Sequence, residues 1–512
     1  MEQRKQLSIN FITQILSFVL NLAISFFLTP YVIEFIGKDV YGFVSLANNF
    51  TSYVTVFTVA LNGMLSRYVT IAYARKDFDS VSRYMSSVFF TNIGLMLILL
   101  PVSIILVVNL GSFINLPSGA EWDIKLLFLL IFISFCINLP GGCFYSATYA
   151  VNRLDKANIS TLISSILRIS VLMAMLVFLI PHVWYVGLAS LICTLYLIAA
   201  YRHYQKRYMP EMIISPQNFH WSTVKELVGI GLWNSINQLG QLLLNGLDLI
   251  IANLFVSVLS MNLLSYAKML PTQLVSLLGA ISGIFAPTMT IVYGRGKKAE
   301  FIKETNFAIR CCGFLCSVPF IGLVIFGENF FGLWLQALTA DEVHTVAILS
   351  VLTILPQLFS MYFFPLYNVN TITTKIKAPV IITVVQGVLS VIIVYLLLKL
   401  TNWGIYVVAG VSSVLNVLYI LFFVPVYAAY TIGASWYTFY KPLIRGQICN
   451  VTLVVLFSFV RLVVPIHGWA SFFVACIIAA CLGYSAIFFI LFNKEEQKKL
   501  FYMVKSKLRK RS

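Results

Sequence analysis

Apolar runs of about twenty residues recur along almost the whole of this 512-residue chain, and that is the length a helix needs to cross the hydrocarbon core of a bilayer. No water reaches that core to satisfy backbone N–H and C=O groups. Continuous apolar runs can therefore span it only as helices, because a closed barrel needs alternating hydrophobicity instead. With 60% of residues hydrophobic and 10% charged, the chain also lacks the charge for an ordinary soluble surface. The pattern predicts an all-α polytopic membrane protein of about fourteen transmembrane helices. The spans are expected at 9–29, 43–65, 84–109, 126–146, 158–180, 184–201, 227–255, 262–291, 307–327, 345–368, 378–398, 404–426, 446–464 and 469–492.

The opening "MEQRKQLSINFITQILSFVLNLAISFFLTP" has the basic start of a secretory signal. Its apolar run is too long and no small-residue cleavage site follows, so it reads as the first span. The nine cysteines all fall in apolar segments without metal-ligand spacing and read as small core hydrophobes.

The formal net charge of +17 is not spread evenly. Most Lys and Arg crowd onto one set of alternate loops and onto the tail from Lys494 to Arg511, whereas the opposite loops carry Lys38, Lys125 and Lys399. The positive-inside rule then puts both termini in the cytoplasm and makes the span number even. The tail reads as a contact for anionic membrane lipids, with no nucleic acid implied. No Walker-type nucleotide loop is present.

The chain repeats itself. Sliding it by 220 residues lays "YGFVSLA" (41–47) on "MNLLSYA" (261–267), Gly63 on Gly283, and "YAR" (73–75) on "YGR" (293–295); "KAN" (156–158) meets "KAP" (377–379) at 221. Six spans separate the copies, so both are expected to run in the same direction through the membrane. The expected organisation is an N-terminal six-helix lobe (1–205), an inter-lobe loop (206–226) and a C-terminal six-helix lobe (227–430). An appended helix pair (431–492) and a basic tail (493–512) follow.

Polar residues repeat with the helices. Span one carries Asn10, Gln14, Ser17, Asn21 and Ser25; span seven carries Asn234, Asn237, Gln241, Asn245 and Asp248; span two adds Asn48, Ser52, Thr55 and Asn62. Steps of three and four put each set on one helical face. Such a face can be interhelical glue or the wall of a wetted cavity, because amides turned to lipid would go unsatisfied.

"FLTPYVIEFIGKDVYGFVSLANNF" (27–50), "NGLDLIIANLF" (245–255) and "LLSYAKML" (263–270) resemble bacterial polysaccharide transporters. That is the O-antigen or lipid-linked oligosaccharide flippase family, in the superfamily that also holds multidrug exporters of the MATE type and the lipid II flippase. One departure is "VSVLSMNLL" (256–264), which lacks the glycine usual after span seven. The resemblance implies a MATE-like fold in the bacterial inner membrane and no enzymatic step. It also implies a flippase that moves an undecaprenyl-pyrophosphate-linked glycan to the periplasmic leaflet through a polar cavity. Other polysaccharide-assembly membrane proteins are the implied partners.

That substrate gives meaning to "LISSILRISVLMAM" (162–175), where Arg168 stands in mid-span. A central arginine costs at least about 2.5–3.5 kcal/mol, and the nearest interface is roughly 15 Å away at 1.5 Å per residue. Arg168 shares a face with Thr161 and the serines. It is either paired structurally or offers a bidentate site to a pyrophosphate. Arg310 and Arg67 are further candidates for that anion, while Gln14, Asn21, Asn48, Asn62, Asn234, Asn237, Gln241 and Asn245 are candidates for the cavity wall. Asp248 with Lys268 reads as an ion pair or a coupling-ion site, with Glu34 as a second acid. No cofactor is expected, and proton or sodium coupling stays open.

Two other functions compete. A multidrug exporter of the same fold would favour acidic and aromatic groups around an organic cation. A membrane glycan polymerase or ligase would present catalytic groups outside the membrane, where Glu121, Asp123, Glu328, Asp341, Glu342 and His344 fall on short connections.

Overall fold

The computed structural model describes residues 2–492 and Gln497, apart from some side chains of the first helix and those of Phe57 and Pro287. The expected basic tail, Gln497 excepted, lies outside the described residues. Among the described residues all regular structure is helical, and the chain is a multi-pass membrane protein. Among the described residues ten helices are long and apolar enough to cross a bilayer, or twelve if two bent pairs, 38–74 (69°) and 258–294 (41°), each count as one. The sequence predicts fourteen. The two runs outside this count are the first helix and 340–372, which Pro356 and Pro365 help break into three short helices.

Two compact units divide the chain. The first runs to Ser265 and takes in 383–388. It holds α1 (Glu2–Ile36), α2 (Lys38–Ala74), α3 (Phe78–Val108), α4 (Leu110–Phe113), α5 (Glu121–Gly141), α6 (Tyr145–Ala150), α7 (Leu154–Phe178), α8 (Trp184–Tyr208), α9 (Trp221–Gln241), α10 (Asp248–Phe255) and the start of α11 (Val258–Gly283). The sequence places the division between lobes in the loop at 206–226; the compact units divide later, within α11. The reason is that α9 lies along α2, where Gly231 meets the backbone of Ala60 so closely that a Cβ would fall 2.7 Å from Ala60 Cα.

The connection after α8 is folded rather than a loose linker. Met209 and Met212 are 1% and 4% exposed and join a core with Leu65, Met85, Phe144 and Leu227. Its backbone is bonded to three serines of α3: Ile213 N donates to Ser82 Oγ (3.1 Å), Ser215 N to Ser86 Oγ (3.2 Å) and His220 N to Ser87 Oγ (3.0 Å).

The second unit holds the rest of α11, α12 (Ala286–Gly294), α13 (Lys298–Trp334), α14 (Ala340–Ile354), α15 (Gln357–Ser360), α16 (Phe364–Ile372), α17 (Lys377–Leu400) without 383–388, α18 (Ile405–Leu418), α19 (Val424–Thr431), α20 (Tyr440–Val463) and α21 (Trp469–Leu491). Pro356 has no N–H to offer Leu352 O, a carbonyl that lipid cannot satisfy, and Ser413 Oγ of α18 donates to it instead (2.6 Å). The helix breaks again after α15, where Tyr362 N turns to Phe359 O and leaves Leu358 O free. Asn450 and Gln447 of α20 both donate to Leu358 O, at 2.9 and 3.3 Å. Tyr362, fully buried, fits its ring against Gly313 and Gly446 and donates to Asn450 Oδ1 (3.1 Å).

The 220-residue repeat is visible in the backbone. After α2, Arg75 (φ −85°, ψ −2°), Lys76 (φ 59°) and Asp77 (φ −89°, ψ 80°) make the turn into α3. After α12, Arg295 (φ −80°, ψ −1°), Gly296 (φ 70°) and Lys297 (φ −85°, ψ 77°) make the same turn into α13. At 59° Lys76 is in the left-handed region, which costs a side-chain-bearing residue about 1–2 kcal/mol, less the roughly 0.5–1 kcal/mol of extra chain entropy a glycine loses. Lys76→Gly is therefore expected to stabilise the protein by about 0.5–1 kcal/mol and Gly296→Lys to destabilise it similarly, read as opposite shifts in Tm. At the turn before α2, Gly37 takes φ 97°. Its 220-shifted counterpart, Ser257, has no positive φ and caps α11 through Ser260 N (3.0 Å). This turn runs without the glycine because a side-chain cap closes it.

Candidate functional site

In the first unit, α7 lies against α1 and α8. Ser165 Oγ donates to Asn21 Oδ1, Asn21 Nδ2 to Ser17 O (2.8 Å), and Ser17 Oγ to Asn158 O (3.2 Å). Cys193 of α8 donates to Ser164 O (3.1 Å). One turn beyond Ser164 comes Arg168, partly buried, with Tyr41 of α2 and Cys193 within its electrostatic reach. Its Nε is buried and donates to nothing, and no carboxylate pairs with it among the described residues. Tyr41 and Cys193 carry no signal in the sequence that links them to Arg168, since both arrive from other helices.

The amides of α2 and α9 behave differently. Asn48 is exposed and bonds its own helix at Val44 O (2.8 Å), and Ser52 beside it is exposed. On α9 and the turn after it, Asn234, Gln241 and Asn245 are exposed and Asn237 half-buried. Asn62 is the exception: its Oδ1 accepts from Asn92 of α3 (2.9 Å), inside the unit. Matching stripes thus split into a bonded seam on α1 and uncovered amide faces on α2 and α9. The Gln14 side chain lies outside the described residues.

Between α9 and α10 the helix widens into one π turn, Leu242–Gly246. Tyr53 OH (2.9 Å) and Asn49 Nδ2 (3.4 Å) both donate to Gly246 O. Asp248, 7% exposed, follows directly. Lys268, its proposed partner, belongs to the second unit and is half-buried, as is Arg310. Arg67 is exposed near the end of α2, and Glu34 is exposed at the end of α1.

Of the acids weighed as outer-loop chemistry, Asp123, Glu328 and Glu342 are engaged at helix ends. Asp123 Oδ2 meets His182 Nδ1 at 2.7 Å in the first unit. In the second, Glu328 bonds His344 (2.9 Å) and Arg461 (3.1 Å), and Glu342 completes a capping box with Thr339. Among the described residues no three His, Cys, Asp or Glu side chains are placed to hold a metal ion.

No protein-family model matches the chain. It is 25% identical over 493 residues to the uncharacterized membrane protein EpsK of Bacillus subtilis strain 168, covering 96% of this chain and 97% of that one. Among solved structures it resembles the lipid II flippase MurJ in an inward closed conformation, with TM-score 0.63 at 15% identity over 93% of this chain and 97% of the other. An inward-facing multidrug resistance MATE family transporter of the MOP superfamily gives 0.61 at 13% identity, over 81% and 98%. The chain has the fold of the MurJ and MATE transporters. A MOP superfamily transporter from Pyrococcus furiosus, described as having a binding pocket of reversed polarity, shares the fold at TM-score 0.61 and 11% identity, over 83% of this chain and 95% of that one.

Proposed function

We propose that this chain is a flippase for an undecaprenyl-pyrophosphate-linked oligosaccharide, moving it from the cytoplasmic to the periplasmic leaflet of the bacterial inner membrane. The observation that carries the reading is Arg168: a guanidinium deep in a span, with a buried Nε that no described protein group accepts. A charge held at that depth needs a counter-charge, and a visiting pyrophosphate supplies one with bidentate geometry. The uncovered amides of α2 and α9 suit the hydroxyls of a glycan, and the prenyl tail stays in lipid. Movement follows from alternating access of two six-helix lobes, with Asp248 as the acid for any proton or sodium coupling. The fold shared with a lipid II flippase supports the substrate class.

Deletion in the native host tests the reading. Lipid-linked oligosaccharide should build up facing the cytoplasm, measured by leaflet-specific labelling. Normal export in a strain without a redundant flippase would overturn it, and efflux of cationic dyes by the reconstituted protein would favour the exporter reading instead.

A further inference from the structure

The folded connection between α8 and α9 makes two cavities inside the first unit, one basic and one apolar. The basic one, of about 280 Å³, is lined by Arg202, Gln205, Lys206, Pro210, Met212 and Ile214. Arg202 and Lys206 are one helical turn apart and both exposed, and neither is matched by a carboxylate among the described residues. Arg202 is held over the Phe144 ring at 5.0 Å. At the floor, Gln205, 5% exposed, donates to Met209 O and Met212 O (3.3 and 3.2 Å), fixing the loop that forms the opposite wall. Glu211 lies on the same loop, exposed and outside the lining.

The apolar cavity, of about 420 Å³, begins where the connection ends. Its lining includes Phe219 and Trp221 at the mouth and Phe90, Gly94, Leu95 and Ile98 along α3. The stretch from residue 90 to 98 covers roughly 12 Å of helix, at 1.5 Å per residue. The serine bonds run the connection down α3 from Ser82 to Ser87, towards this groove. Gly94 leaves it open, since a Cβ there would meet nothing within 4 Å.

A connection that exposes Ile213 (61%) and Trp221 (57%) beside arginine and lysine is at the boundary of water and lipid rather than in solvent. The geometry points to a site for one anionic phospholipid of the cytoplasmic leaflet. Its phosphate is held by Arg202 and Lys206, and an acyl chain lies in the groove beside Gly94. Two separated cations alone would take any anion; the groove alone would take any chain. Their joining by one folded connection selects a molecule carrying both.

The test uses the full-length protein, delipidated in detergent and offered phosphatidylglycerol, phosphatidylcholine or inorganic phosphate, with retained adducts counted by native mass spectrometry. Phosphatidylglycerol should be retained in preference to phosphatidylcholine, and inorganic phosphate should not displace it. Arg202→Ala with Lys206→Ala should lower its occupancy about tenfold. Gly94→Leu, which fills the groove where the fold has room, should lower it several-fold with Tm unchanged. Equal retention of both lipids, displacement by inorganic phosphate, or indifference to either variant would each overturn the two-part site. Preferential retention of a polyprenyl pyrophosphate over phosphatidylglycerol would overturn it in favour of a substrate entry site.

Discussion

Arg168→Ala is expected to cut oligosaccharide flipping by thirtyfold or more while the protein inserts and folds at least as well as the wild type. Truncating one side of a buried, hydrogen-bonded charge pair costs about 2–5 kcal/mol of the interaction, roughly thirty- to several-thousandfold. The sign of the stability change is the sharper readout. An arginine that braces the protein through a permanent partner would leave that partner exposed to lipid when removed, lowering Tm. With no described partner for its buried Nε, Arg168 costs the resting protein part of the insertion penalty of about 2.5–3.5 kcal/mol, so alanine should raise Tm. Arg168→Lys keeps the charge but not the fork and should retain transport between the two. Lower Tm with unchanged flipping in the alanine variant would reverse the assignment.

The second large effect is expected in the packing that carries α9 into the first unit. At Gly231 a Cβ would press into the carbonyl of Ala60, and backbone cannot turn aside as a side chain can. Gly231→Ala should cost about 3 kcal/mol or more, at the upper end of overpacking, and separate α9 from α2. Gly229, two residues earlier on the same helix, has nothing within 4 Å of its would-be Cβ. Gly229→Ala should instead gain up to about 1 kcal/mol of helix propensity. Thermal melts of the two variants in one detergent decide it, since equal shifts would mean the close approach of α2 and α9 is not what holds them.

Helical class and repeat were legible in the sequence because each is written in one-dimensional spacing. Run length gives ten to twelve of the fourteen expected spans among the described residues, and the 220-residue offset reappears in the dihedrals at Lys76 and Gly296. The broken helix around Pro356 was less legible. Proline is common in membrane helices, and what lets this one break is Ser413, some sixty residues away, bonding the freed Leu352 carbonyl. The amide stripes show the limit most plainly. Asn21 and Gln241 stand on faces of the same period, yet one is bonded within a helix seam and the other is exposed. Periodicity says that a face is polar, not what lies opposite it. Arg168 could be found from charge in an apolar run, whereas Tyr41 and Cys193 beside it come from helices that no spacing connects.

The π turn at Leu242–Gly246 also bears on how sequences of this kind can diverge. A π turn amounts to one extra residue accommodated in an α-helix. Deleting a single residue there would let the helix close up while everything after it keeps nearly its bearing, whereas the same deletion in a regular stretch of helix would swing the rest by about 100°. Asp248 would stay where it points, and Tyr53 and Asn49 would lose the carbonyl they share. Single-residue length changes between 242 and 246, although they fall in mid-helix, would therefore leave a buried acid aimed as it is. Alignments that refuse a gap there would pair Asp248 with a neighbour on the wrong face.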